Sequence, residues 1–279
     1  MLAAVVVLYN PDDTILENID SYFNRVNFIY IIDNSDKPNG HKFSGLGPKI
    51  EYVFNNGNLG IAQALNIGCK KALASGFEWI ITMDQDSKFL NFTDNVKDLI
   101  SNNTNRNIAL YYPDYIIDGK LYDKSIKEDN EPIIVMTSGN IVNLKIHEKI
   151  GGFEEKLFID YVDIEYCLKL KKEGYSIANL PNVLLQHELG DSKRTSFLFV
   201  KAIVTNHSSI RRYYITRNRL YVRNKYKDVS NTFAKIETRV FINDILKILM
   251  FESHKMSKIK SIIKGYLDYR NNCFGIYNK

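Results

Sequence analysis

Through residue 86, short apolar runs alternate with stretches in which apolar residues recur every three or four positions. The run AAVVVLY (3–9) predicts a buried strand. Residues 13–25, DTILENIDSYFNR, place Ile15, Ile19, Tyr22 and Phe23 at helical spacing. FIYIIDNS (28–35) predicts a second strand ending in Asp33, and KIEYVF (49–54) a third. NNGNLGIAQALNIGCKKALASGF is a Gly/Asn-rich turn opening a helix that stops near Gly76, and EWIITMD is a fourth strand. Strands apolar on both faces, alternating with helices, imply a parallel sheet covered by helices. In such sheets ligands gather at the carboxyl ends of the strands. Tyr9, Asn10, Asp33, Asn34, Asp84 and Asp86 all fall at such ends.

The middle of the chain is mixed. NIALYYPDYIID and PIIVMTSGNIVNL predict further strands, interrupted at Pro132 and Gly139. EKIGGFEEKLFIDYVDIEYCLKLKKEGYSI begins in a Gly-Gly turn and becomes a helix expected to carry Asp160, Asp163 and Cys167. NVLLQHELGDS reads as a strand, then His187, then a loop. Beyond about Phe197 the pattern is helical and basic throughout.

A length of 279 residues suits one large α/β domain, or one domain with a smaller appendage. The chain is 45% hydrophobic and 25% charged, which is enough for a packed core. Three widely spaced cysteines (Cys69, Cys167, Cys273) include no pair at metal-ligand spacing and point to a reducing compartment. The N-terminus lacks a basic leader and a cleavage site, and its apolar run falls far short of the roughly 20 residues a membrane span needs. A soluble, cytoplasmic protein is expected.

The net charge of +5 hides an asymmetry. From Lys193 onward there are 19 Lys and Arg against 5 Asp and Glu, a balance of +14; the preceding residues hold 18 against 27, a balance of −9. The basic third is expected to face something anionic.

Asp84 and Asp86 flank Gln85 at the end of the fourth strand. Carboxylates are costly to leave at the end of an apolar strand unless positive charge meets them. At a turn the two can diverge, one to a metal and one to a ligand hydroxyl. Hard oxygen ligands suit Mg²⁺ or Mn²⁺, which commonly bridges to phosphate oxygens. A helix N-cap or a surface turn would use the same tripeptide, and only its company with the other polar strand ends favours the metal.

The ordered set VVVLYNP, IDNS, NNGNLGIAQALNIG, MDQDS, GGFEEKLFIDYVDIEYCLKLKKEGY and LLQH resembles a family 2 inverting glycosyltransferase of the GT-A fold. LFIDYVDIEYCLKL together with QHELGD is similar to the bacterial rhamnosyltransferase branch. The resemblance covers roughly residues 3 to 226. It implies an α/β, Rossmann-like mixed sheet flanked by helices over residues 1–205, followed by a basic α-helical region over 206–279. It also implies a nucleotide-sugar donor, with dTDP-L-rhamnose favoured and a UDP-hexose as the alternative.

By that resemblance Tyr9, Asn10 and Pro11 match the first donor loop, Asp33 with Asn34 the reader of the nucleobase, and Asn58 and Gly60 the turn near base and ribose. Gly57 and Gly60 allow close backbone approach, although the same residues serve a plain loop and helix start. Asp86 would bind the divalent cation and Asp84 the ribose or the metal's water, Gln85 falls among the donor-binding residues, and His187 matches a third contributor near the metal.

Asp163 is the expected general base. Alignment on CLKL leaves Val162 where the family carries the first acid of a pair, so Asp160, one turn earlier on the same helical face, takes the missing role or competes as base. Glu165 is expected to be solvated. An acidic helix N-terminus, favoured by the dipole, would look the same. No Q-x-x-R-W motif is present, which argues for single-sugar transfer rather than polymerisation.

The segment SSIRRYYITRNRLYVRNKYK (208–227) interleaves arginines with tyrosines, and FINDILKILMFESHKMSKIKSIIKGYL sets Ile245, Ile248, Leu249 and Phe251 near lysines. Such a tail suits an anionic membrane surface and a lipid-diphosphate-linked glycan acceptor of cell-surface polysaccharide synthesis, or helices packed with a solvated basic face. TRNR resembles a family feature near acceptor or diphosphate, which adds Arg217, Asn218 and Arg219 as site candidates. A nucleic-acid-binding protein would explain the tail, but its strand-end carboxylates would repel phosphate, so no nucleic acid is expected. A phosphate monoester hydrolase would carry its D-x-D after the first strand, not the fourth.

Overall fold

The computed structural model describes all residues except 94, 102–106, 123–125, 129–130, 188–192, 198–199, 205 and 278–279. The expected QHELGD segment lies outside the described residues beyond His187. Two compact units emerge, Met1–Phe158 with Val162–Glu188, and Ile159–Tyr161 with Leu189–Lys279. The expected boundary is residue 205; the described residues from Lys193 onward group with the second unit.

The first unit holds, in chain order, β1 (Leu2–Leu8), α1 (Thr14–Phe23), β2 (Phe28–Asp33), β3 (Ile50–Phe54), α2 (Ile61–Ala74), β4 (Trp79–Asp84), β5 (Ser87–Phe89), α3 (Asn95–Ser101), β6 (Ile108–Ile117), β7 (Lys120–Tyr122), β8 (Ile126–Glu128), β9 (Glu131–Ile134), β10 (Asn140–Asn143), α4 (Leu144–Lys149), α5 (Val162–Lys172) and β11 (Ser176–His187). The main sheet has the order β3-β2-β1-β4-β10-β6-β11-β5, with β7 on β6. Its first four strands are parallel, as the apolar runs predict. β10 then enters antiparallel to both β4 and β6, so the sheet is mixed rather than wholly parallel.

The pleat of β1 sends Ala4, Val6 and Leu8 into a core with Ile15, Ile19 and Tyr22 of α1. The opposite face of β1 meets α2, where a Cβ on Gly68 would lie 2.2 Å from a Val5 methyl. Glycine at this helical position therefore sets how closely α2 lies on the sheet. β11 reaches 12 residues because a register shift between Asn179 and Leu184 absorbs Pro181 in a bulge. Beyond the bulge it pairs with β5, which places His187 opposite Ser87.

Helix α5 begins at Val162, not before Asp160. Phe158, Asp160 and Tyr161 all have positive φ (58°, 63° and 69°), which is incompatible with a right-handed helix. Asp160 is therefore not on a helical face with Asp163, and the expected one-turn relationship between them does not exist. Glu165 also departs from expectation: its side chain is fully buried and pairs with Lys169 at 3.3 Å.

The second unit holds β12 (Lys193–Phe197), β13 (Val200–Val204), α6 (Ser209–Lys225), α7 (Asn231–Phe251) and α8 (Lys255–Arg270). β12 and β13 pair antiparallel, and β13 occupies residues expected to be helical. α6 and α8 pack closely at Gly265, where a Cβ would lie 2.6 Å from the Tyr213 carbonyl oxygen. Part of the basic charge is turned inward, at Arg212, Arg217, Arg219 and Lys258. Arg212 and Lys258 both donate to the buried Glu252, at 2.5 and 2.8 Å. Arg219 donates to Glu237 at 3.0 Å and to Asp244 at 2.8 Å.

Candidate active site

Parallel register brings the polar strand ends together. Leu8 is paired with Asp33, Asp33 with Phe54, and Val7 with Asp84, so the residues after β1, β2, β3 and β4 emerge along one edge.

Each expected donor-loop residue has a defined task there. The Tyr9 N–H donates to Gln85 Oε1 at 2.8 Å, and Gln85 Nε2 donates back to the Tyr9 carbonyl at 3.2 Å. Gln85 thus ties the D-x-D turn to the end of β1, and its backbone carbonyl accepts from Asn18 Nδ2 at 2.8 Å. Asn10 sits at φ 48°, its N–H bonded to the Ser35 hydroxyl at 2.7 Å, and Pro11 is buried beside it. Tyr9 is 48% exposed and available to a ligand.

Asp33 is fully buried. Its carboxylate accepts from Ser35 N (2.9 Å), Asn39 N (3.1 Å), Asn39 Nδ2 (3.0 Å) and the Tyr52 hydroxyl (2.6 Å). Burial opposes ionisation, but these donors prevail and hold the carboxyl below its usual range. Asn34 clips the next turn: its Nδ2 donates to the Gly60 carbonyl at 3.1 Å, and its Oδ1 accepts from Asn55 Nδ2 at 2.8 Å. Asn58 Oδ1 accepts from Gly60 N at 2.9 Å. Gly60 has φ 87°, and a Cβ there would lie 2.6 Å from the Phe158 carbonyl oxygen. The same carbonyl accepts from Ile61 N at 2.7 Å, which occupies a free N–H at the start of α2.

Ligand atoms of Asp84, Asp86 and His187 all lie within 4.8 Å of one another. Asp84 ends β4, with its N–H on the Ser138 hydroxyl at 3.1 Å. His187 Nδ1 lies 2.7 Å from the Ser87 hydroxyl and 3.6 Å from Asp86 Oδ1. Burial, then the neighbouring charge of Asp86, pushes the Asp84 carboxyl up to about 6, with Asp163 adding to the effect and His187 opposing it. A single divalent ion at about 2.1 Å from each donor spans ligands up to roughly 4.2 Å apart, so small side-chain rotations would close this set on one ion. Two carboxylates and an imidazole are a suitable donor set, and the negative charge crowding Asp84 is what a cation would offset.

Asp163 stands in the first turn of α5, where its Oδ1 accepts from Ile164 N at 2.8 Å. It is close enough to Asp84 for the two charges to repel, and it also lines a cavity of about 470 Å³ bounded by β6, β7, β8, β9, β11 and α5. One carboxylate thus serves both the strand-end cluster and an open, largely apolar space.

The remaining candidates belong to the second unit. Asp160 accepts from Arg211 Nη2 at 3.0 Å and from its Nε at 3.2 Å; burial raises its carboxyl while Arg211 pulls the other way. Arg217, Asn218 and Arg219 are all buried. Arg217 donates to the Tyr213 hydroxyl and the Gly275 carbonyl, and Asn218 Nδ2 donates to the carbonyls of Ile159 and Asp160. These three hold the unit together instead of presenting free donors. Ser35, Asn39, Tyr52, Ser87 and Ser138 escaped the sequence reading. Two of them, Ser35 and Ser87, close the quoted motifs IDNS and MDQDS, and that place beside the carboxylates was the available signal.

A family model described as Glycosyl transferase family 2 matches residues 3–136. The chain is 30% identical over 235 residues to the dTDP-rhamnosyl transferase RfbF of Shigella flexneri, an alignment covering 77% of each. Its fold is similar to S. aureus TarS 1–349, solved in complex with UDP-GlcNAc, with a TM-score of 0.64 at 14% identity over 96% of this chain and 81% of that one. It is also similar to GalNAc-T7, solved with UDP, GalNAc and Mn²⁺, with a TM-score of 0.59 at 16% identity over 80% of this chain. The chain spans about half the length of GalNAc-T7, 47%.

Proposed function

The chain belongs to glycosyl transferase family 2 and has the GT-A fold, and from that premise we propose that it transfers a single L-rhamnosyl residue from dTDP-L-rhamnose to a glycan acceptor, with inversion at the anomeric carbon. The observation that carries this reading is Asp163, which borders an open cavity on one side and lies within charge range of the Asp84–Asp86–His187 cluster on the other. The identity to a dTDP-rhamnosyl transferase supports the donor; a UDP-hexose is the competing one.

In this reading Asp163 accepts the proton of the attacking acceptor hydroxyl as its oxygen bonds to the anomeric carbon. The bond from that carbon to the β-phosphate oxygen breaks, and dTDP leaves. Asp84, Asp86 and His187 would hold Mg²⁺ or Mn²⁺, the imidazole favouring Mn²⁺. Such an ion, when bound, supplies positive charge against the charge developing on the diphosphate. Tyr9, Asn10 and Pro11 border the donor. Asp33, Asn34 and Asn58 shape the base and ribose side through the backbone they hold, since their side chains are already engaged with protein, and Gly60 contributes its backbone alone.

The acceptor in this reading is lipid-diphosphate-linked, and the second unit approaches an anionic membrane. In support, Ile242, Leu246 and Leu249 on α7 and Met256, Ile263 and Leu267 on α8 are exposed at helical spacing, near the exposed Arg239, Lys255 and Lys260. Among the described residues no helix is long and apolar enough to cross a membrane. Flotation with anionic vesicles but not neutral ones is expected; equal recovery with both removes the membrane.

Donor hydrolysis tests the reading as a whole. Slow, metal-dependent release of dTDP from dTDP-L-rhamnose is expected, faster than UDP release from UDP-hexoses. Preference for a UDP-sugar would replace the donor, and no release from any nucleotide-sugar, with or without Mn²⁺, would overturn the enzyme.

A further inference from the structure

The cavity beside Asp163 has a chemical character of its own. Its wall is mainly apolar and aromatic, with half-buried Tyr112 and Tyr122 and the rim residue Leu121, which is 67% exposed. One polar pair interrupts it. Asn179 Nδ2 donates to Asp114 Oδ1 at 3.0 Å, and both residues line the space. The bond fixes the orientation of both groups and leaves Asp114 Oδ2 and Asn179 Oδ1 as acceptors. At about 470 Å³ the cavity falls within the usual range for small-ligand sites.

Resting on the reading of Asp163 as the base, we infer that this cavity seats the acceptor as a pyranose ring. Asp114 and Asn179 accept from its hydroxyls, and Tyr112 and Tyr122 cover its C–H faces. A sugar ring presents hydroxyl donors around its edge and apolar C–H groups on its faces, which matches a carboxylate–amide pair set among tyrosines. An alkyl or prenyl chain fits less well, because it would cover the Asp114 carboxylate and the Asn179 amide without satisfying either. A second phosphate group fits worse still, since the polar groups of this wall include two carboxylates, Asp114 and Asp163. The sugar ring therefore lies next to the base, and any lipid of the acceptor lies outside the cavity.

Saturation-transfer NMR on the full chain, with dTDP and diamagnetic Mg²⁺ present, tests this. The probes are methyl α-L-rhamnopyranoside, methyl β-D-galactopyranoside, the methyl glycoside of N-acetyl-β-D-glucosamine, and farnesyl monophosphate as the lipid. At least one pyranoside is expected to receive saturation, and Asp114→Ala and Tyr122→Ala are expected to weaken its binding about tenfold while leaving the dTDP signal unchanged. Asn179→Ala, a substitution at an exposed position, gives the same reading if Asp114→Ala fails to fold. Saturation of no pyranoside, saturation of farnesyl monophosphate alone, or pyranoside binding indifferent to all three substitutions overturns the assignment. Pyranoside binding lost in Asp114→Ala, in a protein that binds no dTDP, would sink the donor reading while upholding the sugar cavity.

Discussion

Ser87 and His187 face each other across the antiparallel pair β5–β11, with the Ser87 hydroxyl 2.7 Å from His187 Nδ1. The imidazole is thereby held at the D-x-D turn from a strand far along the chain. A hydrogen bond of this kind fixes the ring of a metal-binding histidine, and its loss typically costs 10–100-fold in metal affinity. Ser87→Ala is accordingly expected to weaken Mn²⁺ binding by about tenfold with the fold intact, measured by isothermal titration with Mn²⁺ and dTDP. Unchanged Mn²⁺ affinity would place His187 outside the metal site.

Gly68 is expected to reverse the usual helix rule. Alanine in place of a helical glycine ordinarily gains up to about 1 kcal/mol. Here the new methyl would enter the space of Val5, so Gly68→Ala should lower unfolding free energy by about 2 kcal/mol or more. Adding Val5→Ala should recover part of the loss. Urea melts of the two single variants and the double variant decide it; a Gly68→Ala protein as stable as the parent would mean that α2 does not lie this close to β1.

Glu252 joins two buried cations of the second unit, Arg212 and Lys258. Glu252→Ala would leave both charges buried with a lost partner, at a cost of about 3–5 kcal/mol. Hydrogen exchange in α6 and α8 should accelerate accordingly. Protection equal to that of the parent would show that those cations reach water.

The pH dependence of stability should carry a contribution from His147. This side chain is buried on α4, with Nδ1 3.0 Å from the Tyr166 hydroxyl. Burial, assisted by the charge of Lys169, lowers its pKa from 6.5 to about 4. Between those values the unfolded chain binds the proton and the folded chain does not, so stability falls as pH drops through that window. From pH 7 to pH 5 the loss amounts to about 2 kcal/mol. Urea melts of His147→Gln should show a shallower decline than the parent over that range. Identical slopes would assign the acid sensitivity to other groups.

Much of the first unit was legible because its strands are continuous apolar runs ending in polar residues. Buried parallel strands leave that signature, and they brought Tyr9, Asp33 and Asp84 to one edge as expected. The segment LFIDYV misled because its composition permits a helix; only the departures into positive φ at Phe158, Asp160 and Tyr161 end that possibility. Glu165 was read as solvated because helical spacing alone does not show that its side of α5 is buried against the unit. The basic tail concealed its own compensation. Arg219 meets Glu237 and Asp244 from α7, and a charge count along the chain cannot show which pairs fold inward. His187 was placed by family resemblance, and its physical cause, the β5–β11 pairing, is a long-range contact that no local pattern displays.

The most direct test of the proposed chemistry is a paired measurement on Asp163→Asn, setting the affinity for dTDP-L-rhamnose in Mn²⁺ beside transfer to acceptor. A proton acceptor contributes about 10²–10⁴-fold, so turnover should fall by that factor while donor Kd stays within about threefold. Loss of donor binding in a folded variant, or turnover left near the parent's, would contradict Asp163 as the base.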